Sequence, residues 1–138
     1  MHALIIEQDT WIILMIEDAL RALDYTSFDL AYSPQEAVIA ARLRRPDLIT
    51  ADLRFGAGSG IDAVREIRAS DAIPVVFVTA TPWEVRAAEP DATVVAKPFC
   101  QAALQEGVAR AVAAAPEAGR GGLAGPRGPG PAKAATPG

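Results

Sequence analysis

Short runs of consecutive apolar residues alternate along the chain with longer segments in which apolar side chains recur every three or four positions. The short runs predict strands, and the longer segments predict helices. Because each strand run is apolar throughout, the sheet should carry helices on both faces and its strands should be parallel. The predicted strands are 4–7, 27–31, 48–52, 75–79 and 94–96, and the predicted helices are 10–23, 34–44, 60–69, a short one within 80–91, and 99–115.

Proline and capping residues set the limits of two of these helices. Ser33, Pro34 and Glu36 occupy the N-cap, N1 and N3 positions of a capping box, which predicts the start of the second helix. Pro82 and Pro90 leave room for only about two turns between them, so we expect the fourth helix to be short or irregular. The glycine-rich stretch 56–60 predicts a plain loop, since no Gly-Lys-Ser/Thr sequence follows it.

Composition and charge divide the chain near residue 116. Of the 138 residues, 51% are apolar, which suffices for one domain with a core but not for two. Residues 1–115 carry a net charge of −6, whereas 116–138 are mostly Gly, Pro and Ala with a net charge of +2. Such a tail cannot bury enough apolar surface to offset its ordering entropy. We therefore predict one domain at 1–115 and a disordered tail at 116–138.

The same composition argues against several classes of protein. A single cysteine rules out a disulfide framework and suits a reducing cytosol. No apolar run is long enough to span a membrane, and the start of the sequence lacks the basic segment of a signal peptide. The acidic body has no basic patch interleaved with aromatic residues, which argues against nucleic-acid binding. We expect a cytoplasmic protein without membrane contact.

Polar side chains stand where the predicted strands end. The ends of parallel strands meet at one edge of an open α/β sheet, and ligands and reacting groups bind there. These side chains are Glu7, Gln8 and Asp9 after the first strand, Asp52 after the third, Thr79 at the end of the fourth and Lys97 after the fifth. The sequence therefore predicts a single site assembled from several loops.

Four segments around these residues carry a resemblance to a known family. They are Leu-Ile-Ile-Glu-Gln-Asp at 4–9, Pro-Asp-Leu-Ile-Thr-Ala-Asp-Leu-Arg-Phe-Gly-Ala-Gly-Ser-Gly at 46–60, Pro-Val-Val-Phe-Val-Thr-Ala at 74–80 and Ala-Lys-Pro-Phe at 96–99. In this order and spacing, the sequence from residue 3 to about 112 resembles the receiver domain of two-component response regulators. The resemblance implies a flavodoxin-like, doubly wound α/β fold whose five parallel strands have the order 2-1-3-4-5.

The resemblance also implies roles for the site residues. Asp52 would accept a phosphoryl group from a phosphohistidine on a sensor histidine kinase or a histidine phosphotransfer protein. Lys97 would supply a fixed positive charge to one phosphoryl oxygen, and Thr79 would offer its hydroxyl to another. Mg²⁺ would be held by Asp52, by Glu7 and Gln8, and by the main-chain carbonyl of Arg54, since this ion prefers hard oxygen ligands.

Three positions differ from the usual pattern of the family. Gln8 stands where a second acid is usual, so either Glu7 ligates the metal directly or Asp9 takes this place after a local shift. Val94 stands where the family usually carries an aromatic switch residue, three positions before the lysine. Gly56 stands where a proline often follows the acceptor by four residues.

Two functional classes fit these features. The first is a receiver without an output domain, which promotes its own phosphorylation without being an enzyme and signals to an unknown downstream protein. The second is an interaction scaffold that works without phosphorylation, as Gln8 and Val94 would allow. A haloacid-dehalogenase-like phosphatase would need a second aspartate two positions after Asp52, where Arg54 stands.

Two further expectations concern the chain's start. Residues 11–16 are apolar all round the first helix, more than one buried face requires. We expect most of them to pack in the core, and the remainder to be available to a protein partner or to a second copy in a homodimer. His2 lies in no helix that could carry a phosphoacceptor histidine, and we expect it on the terminal surface.

Overall fold

The computed structural model describes residues 1–55 and 58–115, and its centre is a sheet of five parallel strands. These strands are β1 (His2–Ile6), β2 (Ser27–Ala31), β3 (Leu48–Ala51), β4 (Val75–Thr79) and β5 (Thr93–Ala96). They lie in the order β2-β1-β3-β4-β5, and every neighbouring pair is parallel. The predicted doubly wound fold with the order 2-1-3-4-5 is confirmed.

Five helices connect and cover the strands. They are α1 (Thr10–Arg21), α2 (Pro34–Leu43), α3 (Gly60–Arg68), α4 (Pro82–Ala88) and α5 (Gln101–Ala114). Helix α4 has seven residues, the shortest of the helices described, and begins at the proline that the sequence identified. The prediction of a short fourth helix is confirmed.

Two apolar layers enclose the sheet, because successive side chains of a strand point to opposite faces. On one face, Leu4, Ile6 and Phe77 pack against α2, α3 and α4. On the other face, Ile5 and Val76 pack against α1 and α5. A sheet covered on both sides is what the continuously apolar strands predict.

Two local features differ from the sequence-based expectations. Ser33 accepts a hydrogen bond from the Glu36 N–H at 3.1 Å, as an N-cap should, but the Glu36 side chain bonds the N–H of Tyr32 at 2.8 Å rather than that of Ser33. After β3, Arg54–Phe55 and Gly58–Ser59 form a short antiparallel pair where a plain loop was expected.

The expectation of a surface-exposed His2 was wrong. His2 is buried and opens β1, opposite Ser27 in the register with β2. Its Nδ1 lies 2.8 Å from the Ser27 hydroxyl, and its Nε2 lies 2.9 Å from Asp29 Oδ2. Both ring nitrogens therefore have hydrogen-bond partners on the neighbouring strand, so neither is left unsatisfied in the interior.

Helix α1 exposes more apolar surface than expected. Ile13 and Ile16 are buried, but Trp11 is 77% exposed, and Leu14 and Met15 are exposed as well. The last three residues form one ridge, because positions three and four apart lie on the same side of a helix. That a protein partner or a second copy covers this ridge stays a prediction.

Several expectations fall on residues 56–57 and 116–138. The role of Gly56 and the disordered tail lie outside the described residues. Within the described part of the chain, none of the helices has the length and apolar character needed to cross a membrane.

Candidate functional site

Residues from four strand ends lie together at the carboxyl edge of the sheet. Asp52 directly follows β3, and its N–H donates to the Ile6 carbonyl at 3.0 Å, which continues the β1–β3 pairing by one residue. Lys97 directly follows β5, and its N–H donates to the Thr79 carbonyl at 2.8 Å. Glu7 follows β1 in the same way. The parallel strands thus bring these four residues to one place.

Glu7 is the most enclosed carboxylate of the site, with 3% of the residue exposed. Its Oε2 accepts hydrogen bonds from the N–H groups of Gln8 and Asp9, both at 3.1 Å. Its Oε1 accepts a hydrogen bond from Lys97 Nζ at 2.8 Å. A buried charge needs such partners, and Glu7 has three of them.

Lys97 joins the two carboxylates. Its Nζ lies 3.3 Å from Asp52 Oδ2 as well as 2.8 Å from Glu7 Oε1. Burial by itself lowers the pKa of the Lys97 ammonium, because the charged form loses solvation. The hydrogen bond and the negative charge of Glu7, followed by those of Asp52, outweigh burial and raise this pKa above its ordinary value. Lys97 is therefore a fixed positive charge at neutral pH.

Thr79 ends β4 with a buried hydroxyl that reaches the start of α4. Its Oγ1 accepts a hydrogen bond from the N–H of Thr81 at 3.1 Å and lies 3.3 Å from the Thr81 hydroxyl. Thr81 is the N-cap of α4 but makes no side-chain capping bond of its own. Thr79 therefore links the edge of the sheet to the start of α4.

Gln8 and Asp9 point to neighbouring loops. The Gln8 side-chain amide donates to the carbonyl of Tyr32 at 3.4 Å on the surface. The Asp9 carboxylate caps α1, accepting hydrogen bonds from the N–H groups of Trp11 at 2.9 Å and Ile12 at 3.4 Å. Both side chains thus make their hydrogen bonds to main-chain groups away from Glu7 and Asp52.

The donor set at this edge fits a hydrated Mg²⁺ ion. Glu7 and Asp52 share one ammonium, so their oxygens lie within reach of a single cation. Mg²⁺ usually binds through one or two carboxylates and keeps several waters. No cluster of three acidic, histidine or cysteine side chains suited to a metal occurs among the described residues. Arg54, whose carbonyl is the remaining predicted ligand, lies in the short antiparallel pair after Asp52.

Gly60 lies directly against Asp52. Its N–H donates to the Leu53 carbonyl at 2.8 Å, and a Cβ on Gly60 would overlap the carbonyl oxygen of Asp52. Only glycine allows this approach of helix α3 to the end of β3. The glycine lies directly after the loop in the sequence, but its contact becomes visible only in three dimensions.

Val94 is 8% exposed and belongs to the core layer beneath α4. The position that is usually aromatic in the resembling family is thus filled here by a small packed side chain. Rearrangement of an aromatic ring at this position is not available to the chain.

Comparison with known proteins identifies a family. The sequence profile of the response regulator receiver domain matches residues 3–109. The phyllosphere-induced regulator PhyR of Methylorubrum extorquens is 35% identical over 113 residues, which cover 79% of this chain and 42% of that protein. The chain thus spans less than half the length of the curated relatives that it matches.

Solved structures agree with the sequence match. The REC domain of the PhyR response regulator from Erythrobacter litoralis is 31% identical with a TM-score of 0.74, and the alignment covers 83% of this chain and 91% of that one. The anti-anti-sigma factor PhyR from Bartonella quintana is 34% identical with a TM-score of 0.71, over 80% of this chain and 46% of that one.

Proposed function

The chain belongs to the response regulator receiver domain family, and from that premise we propose that Asp52 accepts a phosphoryl group from a phosphohistidine. The donor would be a sensor histidine kinase or a histidine phosphotransfer protein. Receiver domains are signalling domains of two-component systems. The observation that supports the proposal most directly is the ammonium of Lys97 beside the carboxylate of Asp52.

The transfer exchanges one bond to phosphorus for another. A carboxylate oxygen of Asp52 attacks phosphorus, the bond between phosphorus and the imidazole nitrogen breaks, and its electron pair stays on the imidazole. The product on this chain is an acyl phosphate. Asp52 Oδ2 receives the hydrogen bond from Lys97, whereas none of the described residues donates to Oδ1. Oδ1 is therefore the oxygen better placed to attack.

Lys97 and Thr79 would stabilise the transferred group. The Lys97 ammonium can move from the carboxylates to a phosphoryl oxygen, where its charge offsets the charge that develops during transfer. The Thr79 hydroxyl can donate to another phosphoryl oxygen when it turns away from Thr81. Thr79 ends β4, the strand beside β3, and Lys97 follows β5, the next strand, with its ammonium 3.3 Å from Asp52 Oδ2.

Receiver domains generally use Mg²⁺ at the phosphorylation site. In this chain we expect Asp52, Glu7 and the Arg54 carbonyl to hold the ion, with Gln8 as a further predicted ligand. The ion would supply positive charge to the phosphoryl oxygens when bound. With only two carboxylates facing one ammonium, the site should bind Mg²⁺ weakly.

The output would pass through the segment 81–92, which contains α4. Phosphorylation adds roughly −1.5 to −2 charges at the edge of the sheet, and this charge must bias a movable element. The segment follows directly from Thr79 and holds few apolar anchors. The downstream partner would be another protein. One relative is named an anti-anti-sigma factor, but the chain spans less than half of that relative, so we extend only its receiver role.

The direct test is incubation of the protein with acetyl phosphate and Mg²⁺, followed by intact mass measurement. A single phosphoryl adduct is expected in the wild type and none in Asp52→Asn. Circular dichroism of the variant should match that of the wild type, since Asp52 is half-buried at a loop. An adduct that persists in Asp52→Asn would refute the assignment of the acceptor.

A scaffold that works without phosphorylation is the second candidate. It is favoured by one observation, that the Gln8 side chain contacts the Tyr32 carbonyl and leaves the second acidic position of the site unfilled. In that case no adduct would form with acetyl phosphate, even at high Mg²⁺ concentration. The same mass measurement therefore separates the two candidates.

A further inference from the structure

Helix α4 has little packing of its own. Among its seven residues Val85 is buried, whereas Trp83 is 64% exposed. A cavity of about 360 Å³ lies beyond its C-terminal end, with Glu89, Pro90 and Ala92 in the wall. Packing is therefore incomplete on that side, and the helix depends on contacts that neighbouring elements make with its two ends.

The N-terminal end of α4 is held by the site itself. The hydroxyl of Thr79 accepts the hydrogen bond from the Thr81 N–H and contacts the Thr81 hydroxyl. Rotation of the Thr79 side chain toward a phosphoryl oxygen would move its hydroxyl away from both the hydroxyl and the N–H of Thr81. The contact of Thr79 with the N-terminal end of α4 is thus the one that phosphorylation would weaken.

The C-terminal end is held by a different helix. Arg65 of α3 donates through Nη2 to Glu89 Oε2 at 2.7 Å and to the carbonyl of Ala88 at 3.3 Å. Glu89 is the C-cap of α4, and the carbonyls of the last turn have no partners within the helix. One guanidinium therefore binds both the cap side chain and a terminal carbonyl.

Arg65 is itself carried by a well-anchored helix. Ile61, Val64 and Ile67 of α3 are buried in the core, and Gly60 fixes the start of the helix against Asp52. The hold on the C-terminal end of α4 therefore comes from an element that is fixed independently of Thr79.

We propose that Arg65 is a positioning residue that fixes the C-terminal end of α4, so that phosphorylation at Asp52 moves the N-terminal end of the helix about this point. The inference rests on the proposed function for its second part only. Modification at Asp52 changes the contacts of residues 80–85, while Glu89 stays bound to Arg65. Trp83, near the moving end, changes its exposure, and the turn that follows Glu89 does not move.

The first test uses the full chain without any phosphoryl donor. Amide exchange of residues 85–92 is compared between the wild type and Arg65→Gln. Loss of the contact should speed exchange about two- to fivefold, the range expected for an exposed ion pair. Arg65→Lys, which keeps the charge, should restore part of the protection. The matched control is Arg42→Gln, which breaks the exposed pair between Arg42 and Glu66 on α2 and α3 and should leave residues 85–92 unchanged.

The second test compares amide exchange before and after acetyl phosphate treatment in the wild type and in Arg65→Gln. In the wild type, the change should be confined to residues 80–85. In Arg65→Gln, it should extend through residues 89–92, because the fixed end is lost. Arg42→Gln should behave as the wild type does.

Two results would overturn the inference. The first is equal exchange of residues 85–92 in Arg65→Gln and the wild type without donor. The second is a change in the phosphorylated wild type that is as large at 89–92 as at 80–85. If the proposed function is wrong, no adduct forms on Asp52. The comparison without a phosphoryl donor still tests the role of Arg65 in that case.

Discussion

Gly60 lies so close to Asp52 that the first turn of α3 touches the main-chain carbonyl of this residue. The contact joins a helix start to the end of β3 and leaves no space for a side chain. The conformation of Asp52 is therefore set by its neighbour in α3 as much as by its own strand.

Gly60→Ala should destabilise the protein by roughly 1–3 kcal/mol, the usual cost of overpacking a closed site. The added methyl group meets a backbone oxygen, which cannot move as the end of a side chain can. Urea unfolding measures the loss. Gly107→Ala is a graded control, because a Cβ there would lie 2.6 Å from a methyl group of Val95, which has more freedom to shift. A cost for Gly60→Ala no larger than for Gly107→Ala would contradict this prediction.

Glu7→Gln should lower the pKa of Lys97, because Glu7 is the main group that raises it. A lysine whose pKa is raised on folding contributes stability below its unfolded-state pKa, and this contribution is lost as the pH rises through the folded-state value. The wild type should therefore lose stability above roughly pH 10, and the loss due to Lys97 should be smaller in Glu7→Gln.

The measurement is the free energy of unfolding as a function of pH. Burial, followed by the charge of Asp47, also raises the pKa of Tyr25, so Tyr25 weakens the fold at high pH in both proteins. The difference between wild type and variant isolates the contribution of Glu7. Asp18→Asn removes an exposed carboxylate and serves as the control. Parallel curves for wild type and Glu7→Gln would show that Glu7 does not set the pKa of Lys97.

Gln8→Asp should tighten Mg²⁺ binding, since hard cations respond to the number of charged ligands. The carboxylate would have to turn away from the Tyr32 carbonyl, which repels it, and toward Asp52. Isothermal titration of both proteins with MgCl₂ measures the change, and Gln8→Ala reports the loss of the Tyr32 contact alone. Equal affinity in Gln8→Asp and the wild type would mean that position 8 does not face the metal.

Trp11→Ser and Ile16→Ala should differ sharply in stability. Trp11 is largely exposed, so its replacement should change the free energy of unfolding by less than about 0.5 kcal/mol. Ile16 is buried, and its truncation should cost roughly 2–5 kcal/mol. Sedimentation of the wild type and of Trp11→Ser adds a second measurement, because the substitution should weaken self-association if a second copy covers the ridge on α1. A large loss of stability in Trp11→Ser would show that the tryptophan packs within the domain.

The strands, and the position of Glu7, Asp52, Thr79 and Lys97 at one edge of the sheet, could be predicted from apolar runs and from the geometry of parallel sheets. The order of the strands was predicted from the resemblance to receiver domains. The contacts of single side chains could not be predicted. The burial of His2 depends on Ser27 and Asp29, the first and third residues of β2, which the register between β1 and β2 brings beside it. The turn of Gln8 toward Tyr32 depends in the same way on how two loops meet.

The exposed ridge on α1 shows a second limit of sequence patterns. Apolar content at 11–16 predicts burial on average, but the sheet below α1 has room for one face of the helix only. Ile13 and Ile16 fill that face, and Trp11 is left outside. The hydrogen bond from Arg65 to the end of α4 could not be predicted from the sequence either, since 23 positions separate Arg65 from Ala88.

The bridge made by Lys97 has a consequence for the synthesis of the protein. Its two partners, Glu7 and Asp52, stand 90 and 45 positions earlier in the chain, directly after β1 and β3. A ribosome-bound chain that has not yet released β5 therefore exposes the carboxylates of Glu7 and Asp52 without their counter-charge. Under the proposed function, the chain would therefore accept a phosphoryl group only after β5 has docked at the edge of the sheet and brought Lys97 beside Asp52.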